Sequence, residues 1–239
     1  MRLTVIGSSP AWPNPGGAHS GYLVQGPGRL LLDCGPGVLA RLRASGSWPE
    51  VDAIAISHFH LDHWGDVVPW TWGVLYGPGR EAPRPELHLP PGGRTFVAGV
   101  APQFGGTPDL FERAFEVSEY SAGAVTHVAG FELLPVRLQH YRIESYGFRV
   151  SDGERTLAYS ADSGPGDALV ELARGADLFV CEATLRDGEP EPRGHLSLAE
   201  AELAFTTARA RRLLVTHRPE ELAVGDGIEL AHDGLELSL

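Results

Sequence analysis

The stretch Ser57-His58-Phe59-His60-Leu61-Asp62-His63 places four metal-capable side chains within six residues. It follows the apolar run Ala53–Ile56, which reads as a strand. In extended backbone, residues i and i+2 point the same way, so His58 and His60 can converge on one metal ion. Asp62 and His63 fall where a turn or helix begins and can face a second point nearby. A chance cluster of surface histidines does not account for the residues that end the later strands. Glu132–Gln139 runs into His140, Thr156–Ser160 leads to Asp162, Asp177–Cys181 runs into Glu182, and Arg212–Thr216 into His217. In layered α/β folds, sites collect beyond the ends of strands. Repeated His, Asp and Glu at strand ends read as one site assembled from the whole chain.

Those ends need strands and helices to hold them. Early strands are expected at Leu3–Ile6, Gly21–Gln25, Arg29–Asp33 and Ala53–Ser57, broken by Gly and Pro. A short helix is expected at Val38–Ala44, ending near Gly46. Residues 77–110 are rich in Gly and Pro and read as a loop-rich excursion with one short strand near Leu87. Further strands are expected at Gly147–Val150 and in the runs named above, with helices at Asp167–Arg174 and Leu198–Arg209. The end, Gly227–Leu239, reads as a hairpin turning at Asp233-Gly234. Strands alternating with helices mean an α/β layered fold.

The chain has 239 residues and a formal net charge of −12. That length suits one large domain, residues 1–239, with core enough to fold without disulfides. Bulk nucleic-acid binding is disfavoured, because it needs clustered cations. No apolar run approaches the roughly 20 residues of a membrane span, and the chain goes straight into a strand, so a cytoplasmic protein is expected. Cys34 and Cys181 read as buried, reduced thiols. All 19 basic residues are arginine.

The histidine cluster resembles the HxHxDH signature of the metallo-β-lactamase superfamily. The resemblance extends to Leu32-Asp33-Cys34-Gly35, His140, Ser160-Ala161-Asp162-Ser163-Gly164, Cys181-Glu182-Ala183-Thr184, Gly194-His195-Leu196-Ser197 and Thr216-His217. It implies an αββα sandwich, two mixed β-sheets flanked by helices. It also implies two divalent metal ions, zinc first, with manganese or iron as alternatives. On that pattern His58, His60 and His140 hold one metal, Asp62, His63 and His217 the other, and Asp162 bridges both. The Glu-Ala-Thr and Gly-His-Leu-Ser elements look like the phosphodiesterase branch that contains ribonuclease Z. Within it the chain is most similar to compact bacterial members, some of them described as cyclic-nucleotide phosphodiesterases. Ala161-Asp162-Ser163 departs from the usual Gly-Asp-Thr but keeps the ligand.

The expected reaction is hydrolysis of a small phosphodiester, cyclic nucleotides included, by attack of metal hydroxide on phosphorus. His195 is the candidate proton donor to the departing alkoxide or to a phosphoryl oxygen, and Glu182 the group that holds its tautomer. A plain structural residue at His195 and a structural ion pair at Glu182 are the alternatives. Asp62 is a ligand and a candidate proton acceptor. Hydrolysis of a carbon ester, thioester or lactone by the same metals is the competing enzymatic reading, and a non-catalytic metal-binding carrier of this fold the third. No tRNA is expected as partner: the long arm with which bacterial ribonuclease Z grips tRNA would fall between His140 and Asp162, where two strands leave no room.

Weaker candidates surround these. Asp33 could anchor the histidine loop or cap a turn. Ser8, Ser9 and Ser20 could reach substrate from the loop after the first strand, and Arg142 could meet a phosphate. Trp64, Trp70, Trp72 and Tyr76 suit core packing, or a base-binding floor or a homodimer contact. His19, His88, His127 and His232 lack ligand-like spacing and read as structural.

Overall fold

Apolar side chains along each strand alternate between two cores. Leu30 and Leu32 enter one cluster with Leu3, Val5 and Tyr22, while Leu31 between them enters another with Val38 and Leu42. A strand buried on both faces needs a layer on each side. The computed structural model, which describes residues 1–239, shows how that need is met.

The first half supplies β1 (Arg2–Gly7), β2 (Gly21–Gln25), β3 (Arg29–Leu32), β4 (Ala53–Ala55), β5 (Glu86–Leu89) and β6 (Glu116–Glu119). The second supplies β7 (Thr126–Val128), β8 (Phe131–His140), β9 (Ile143–Ser151), β10 (Thr156–Tyr159), β11 (Leu178–Glu182), β12 (Leu213–Thr216) and β13 (Glu229–Leu230), and β14 (Glu236–Ser238) closes the chain. One seven-stranded sheet runs β14, β1, β2, β3, β4, β5, β6, the other β13, β12, β11, β10, β9, β8, β7. Each is mixed: β1–β2–β3 and β8–β9–β10 are antiparallel, β3–β4–β5 and β10–β11–β12 parallel.

Between the sheets lie Leu3, Val24 and Leu30 of one and Phe148, Leu157 and Val180 of the other. Helices α1 (Val38–Ala44), α2 (Leu61–Trp64), α3 (Val67–Leu75), α4 (Gly93–Val100) and α5 (Leu110–Ala114) cover the first sheet. Helices α6 (Asp167–Ala173) and α7 (Leu198–Ala208) cover the second. The αββα sandwich expected from the sequence is what forms.

Two expectations fail. Residues 77–110 hold α4 and a 3-10 turn, Ala101–Phe104, besides the strand at Leu87. Pro90 and Pro91 precede α4, and Pro102 lies in the first turn of the 3-10 helix, so the prolines punctuate helices rather than exclude them. Nor is Gly227–Leu239 a hairpin. β13 pairs in parallel with β12, while β14 pairs antiparallel with β1 in the other sheet. The open edges of β1 and β12 offer longer-range partners, and the turn at Asp233-Gly234 carries the chain from one sheet to the other. The aromatic pair Trp64 and Trp70 is buried in the outer core of the first sheet, as expected, while Tyr76 is exposed.

Candidate metal centre

Four strands deliver residues to one point by turning sharply as they end. Asp33 after β3, Tyr141 after β8, Ala161 after β10 and His217 after β12 all lie in left-handed backbone, with φ of 60°, 49°, 48° and 50°. Non-glycine residues held there cluster at functional sites. His58 and His60 follow β4, and Asp62 and His63 open α2, as the spacing of the motif predicts. Gly35 lets this loop close: a Cβ there would sit 2.0 Å from the Asp62 carbonyl oxygen.

The seven predicted ligand residues converge. His58, His60, His140 and Asp162 can bring one donor atom each within 4.8 Å of one another, and so can Asp62, His63, Asp162 and His217. Asp162 belongs to both groups and divides its carboxylate between them. Its Oδ2 faces His58 Nε2 and His140 Nε2, each at 3.7 Å, and its Oδ1 faces His63 Nε2 at 3.1 Å and His217 Nε2 at 3.5 Å. Asp62 Oδ2 lies 3.4 Å from His63 Nε2 and 3.2 Å from His217 Nε2.

The outward ring nitrogens are spoken for. His58 Nδ1 meets Ser57 Oγ at 3.0 Å, His63 Nδ1 meets Asp33 Oδ2 at 2.7 Å, His140 Nδ1 meets the Gly194 carbonyl at 2.7 Å and His217 Nδ1 meets Thr184 Oγ1 at 2.8 Å. Such contacts set the tautomer and aim Nε2 inward. His60 differs, presenting Nδ1 3.1 Å from His140 Nε2.

These residues fit metal ions on two grounds. His58 Nε2, His63 Nε2 and Asp162 Oδ1 are buried without a hydrogen-bond partner, an arrangement proteins otherwise avoid. The carboxylates of Asp33, Asp62 and Asp162 are also buried together and call for positive charge. Burial would raise the pKa of Asp62 and Asp162, yet the facing His63 and His217 hold both well below the usual carboxylate range. Burial alone would depress His63, but Asp162, Asp33 and Asp62 raise it, so a proton on His63 balances charge when no cation does. His58, His60 and His140 are lowered, chiefly by burial, as suits neutral ligands.

His195 sits beside the cluster, its ring 4.9 Å from that of His140 and 5.9 Å from that of His217. Its Nδ1 lies 2.8 Å from Glu182 Oε1. Glu182 is fully buried and saturated: Oε1 also accepts from the Ser163 N–H, and Oε2 from the hydroxyl of Thr184 and the N–H of Leu196. Burial opposes charge on His195, but Glu182, then Asp162 and Glu189, push its pKa up to about 9.

Asp33 proves to be an anchor. Its carboxylate takes the Ser57 N–H and hydroxyl, His63 Nδ1 and the Tyr159 hydroxyl, all at 2.7–2.8 Å. The serines after β1 do other work. Ser8 Oγ meets the Ala231 carbonyl and Asp233, and Ser9 Oγ accepts from Asn14 N–H, so both tie their loop down; Ser20 is fully buried. Arg142 is exposed. Cys181 packs into the outer core of the second sheet, and both cysteines are buried and unpaired. His88 is bracketed by Glu86 and Ser118. Sequence reasoning missed Tyr141, Glu189 and the role of Thr184. Their only sequence signal is nearness in the chain: Tyr141 follows His140, Thr184 lies two residues after Glu182, and Glu189 five before Gly194. A cavity of about 380 Å3, lined by Ala11, His19, Pro36 and Leu61, opens beside His60 and Asp62.

A sequence profile described as "Beta-lactamase superfamily domain" matches residues 28–218. The chain is 35% identical to "Uncharacterized protein ML1173" of Mycobacterium leprae (strain TN), over 92% of this chain and 78% of that one. It is 30% identical to "Probable metallo-hydrolase YhfI" of Bacillus subtilis (strain 168), over 92% and 87%. The crystal structure of that metallo-beta-lactamase fold protein superposes with a TM-score of 0.84, covering 99% of this chain and 98% of the other at 24% identity. "Ribonuclease Z" of Mycobacterium bovis (strain BCG / Pasteur 1173P2) is 29% identical over 96% and 89%.

Proposed function

The chain belongs to the beta-lactamase superfamily, and from that premise we propose that residues 1–239 form one hydrolase that uses two divalent metal ions, zinc first, to cleave small phosphodiesters, cyclic nucleotides included. The observation that carries the choice of phosphodiester is the His195–Glu182 pair at 2.8 Å beside the ligand cluster. An alkoxide leaving a phosphodiester is a strong base and departs well only with a proton. A thiolate leaving a thioester has no such need; the alkoxide of a carbon ester or lactone shares it, and against these the choice is supported by the likeness to a ribonuclease Z, 29% identical over 96% of this chain.

His58, His60 and His140 hold one metal in this reading, Asp62, His63 and His217 the other, and Asp162 is shared. The ions supply Lewis-acid charge for the phosphoryl oxygens and make an attacking water acidic. Asp62, a ligand in this reading, is also the proposed acceptor for the proton of the attacking water. His195 donates from Nε2 to the departing oxygen while Glu182 holds Nδ1. Glu182 acts through His195 and is a positioning residue, as are Asp33 behind His63 and Thr184 behind His217.

The net charge of −12 opposes a polyanion such as tRNA, whose phosphates each need a local cation. Between β8 and Asp162 lie only β9 and β10, which supports a compact substrate. The unpaired buried thiols suit a reducing compartment, and the cytoplasm is the proposed location; no helix is long and apolar enough to cross a membrane.

A panel of chromogenic phosphodiesters, thioesters and lactones, assayed with Zn²⁺ or Mn²⁺, tests the proposal. Turnover of phosphodiesters well above the others is expected. Preference for a thioester or lactone would move the assignment to carbon esters, and activity on none would favour a metal-binding carrier.

A further inference from the structure

Tyr141 follows His140 directly and has no part in the chemistry above. Its backbone, at φ 49°, lies where bulky side chains are rarely found. The residue is 39% exposed, yet its side chain is held in place. The hydroxyl donates to Glu189 Oε2 at 3.2 Å, and the ring lies against Gly194, where a Cβ would come within 2.3 Å of it. The other oxygen of Glu189 accepts the N–H groups of Gly194 and His195, at 2.8 and 3.1 Å. One carboxylate therefore fixes both the tyrosine ring and the backbone that carries His195. The ring centroid is 5.1 Å from that of His140 and 5.5 Å from that of His195.

We propose that the exposed part of the Tyr141 ring is a stacking platform for the nucleobase of a nucleoside phosphodiester. The inference rests on the phosphodiesterase reading and narrows it to nucleosides. If His195 protonates the departing oxygen, the sugar that bears this oxygen lies beside His195, and its base comes within reach of Tyr141, the aromatic ring 5.5 Å from that of His195. A tyrosine pinned by its hydroxyl and seated on a glycine loses little freedom when a base covers it, so stacking is realised at small entropic cost. Glu189 and Gly194 serve to hold the platform.

Isothermal titration of the zinc-loaded protein with adenosine 5′-monophosphate and with ribose 5-phosphate isolates the base, since both ligands carry the same phosphate. Adenosine 5′-monophosphate is expected to bind about 5- to 150-fold tighter, the range for one base on one aromatic ring. Tyr141→Phe should keep that preference. Tyr141→Leu and Tyr141→Ala should abolish it and leave ribose 5-phosphate affinity as in the wild type. Equal affinity of the wild type for both ligands would overturn the platform and spare the phosphodiesterase reading. A preference that survives in Tyr141→Leu, or equal weakening of both ligands, would also overturn it, the latter by making Tyr141 a prop for the His195 loop. Binding of neither ligand would overturn the platform, and turnover of the chromogenic phosphodiesters decides separately whether the phosphodiesterase reading falls with it.

Discussion

Glu182 Oε1 lies 2.8 Å from His195 Nδ1, and the other oxygen of the same carboxylate receives the Thr184 hydroxyl at 2.8 Å. Thr184 in turn meets Nδ1 of His217. One buried acid thus orients the candidate proton donor directly and a candidate metal ligand through a single hydroxyl.

In the metal-free protein, His195 should titrate near 9, against an ordinary value of 6.5, in the imidazole proton NMR spectrum. Glu182→Gln should lower this value, because burial is then opposed only by Asp162 and Glu189. The folded-state pKa is raised, so the stability contributed by the charged ring is complete below about 6.5 and is lost as pH rises from there through about 9. Melting temperature followed across that window should fall in the wild type and fall less in Glu182→Gln. An unmoved His195 resonance in the variant would dissociate the pair.

His195→Ala should keep its metal content and turn over about 10²–10⁴-fold more slowly, the usual contribution of a general acid. The loss should shrink for a nitrophenolate leaving group, which departs without a proton. A uniform loss across leaving groups would make His195 a phosphate binder, and a lost metal would make it a ligand.

Asp162→Ala should strip most metal from the protein, because its two oxygens face both halves of the cluster. Elemental analysis of the wild type should give two ions per chain. Anomalous scattering from a single site in fully loaded crystals would refute the dinuclear assignment.

Asp33→Ala should weaken metal binding about 10- to 100-fold, as losses behind a ligating histidine do, measured by chelator competition. It should also lower the melting temperature, since Ser57, His63 and Tyr159 each lose a buried acceptor. Wild-type metal affinity in this variant would reduce Asp33 to a turn residue.

Precursor tRNA should be processed negligibly at physiological salt while a small phosphodiester is turned over. Efficient 3′-end cleavage of tRNA would remove the argument from charge and compactness.

Four of the metal-capable residues were legible because their spacing is local. His58, His60, Asp62 and His63 lie on one short segment whose backbone period sets their directions. His140, Asp162, Glu182 and His217 could be found because each follows an apolar strand. The 77–110 segment misled because prolines at helix starts look, in composition, like prolines in loops. The end of the chain misled because a local turn signal competes with sheet edges that sequence does not display.

What the sequence determined by itself is the inventory: an α/β chain, its layers, and a set of His, Asp and Glu at strand ends. What only the tertiary structure decided is how they share space. That Asp162 gives one oxygen to each half, that Asp33 reaches Ser57, His63 and Tyr159 at once, and that Tyr141 closes against Gly194 beside His195 are relations among distant parts of the chain. They arise because two sheets, each buried on both faces, pack with their strand ends together, and left-handed residues just past those ends aim the side chains. The periodicity of a sequence records which face is apolar, but the angle between two strands far apart in it is set by packing alone.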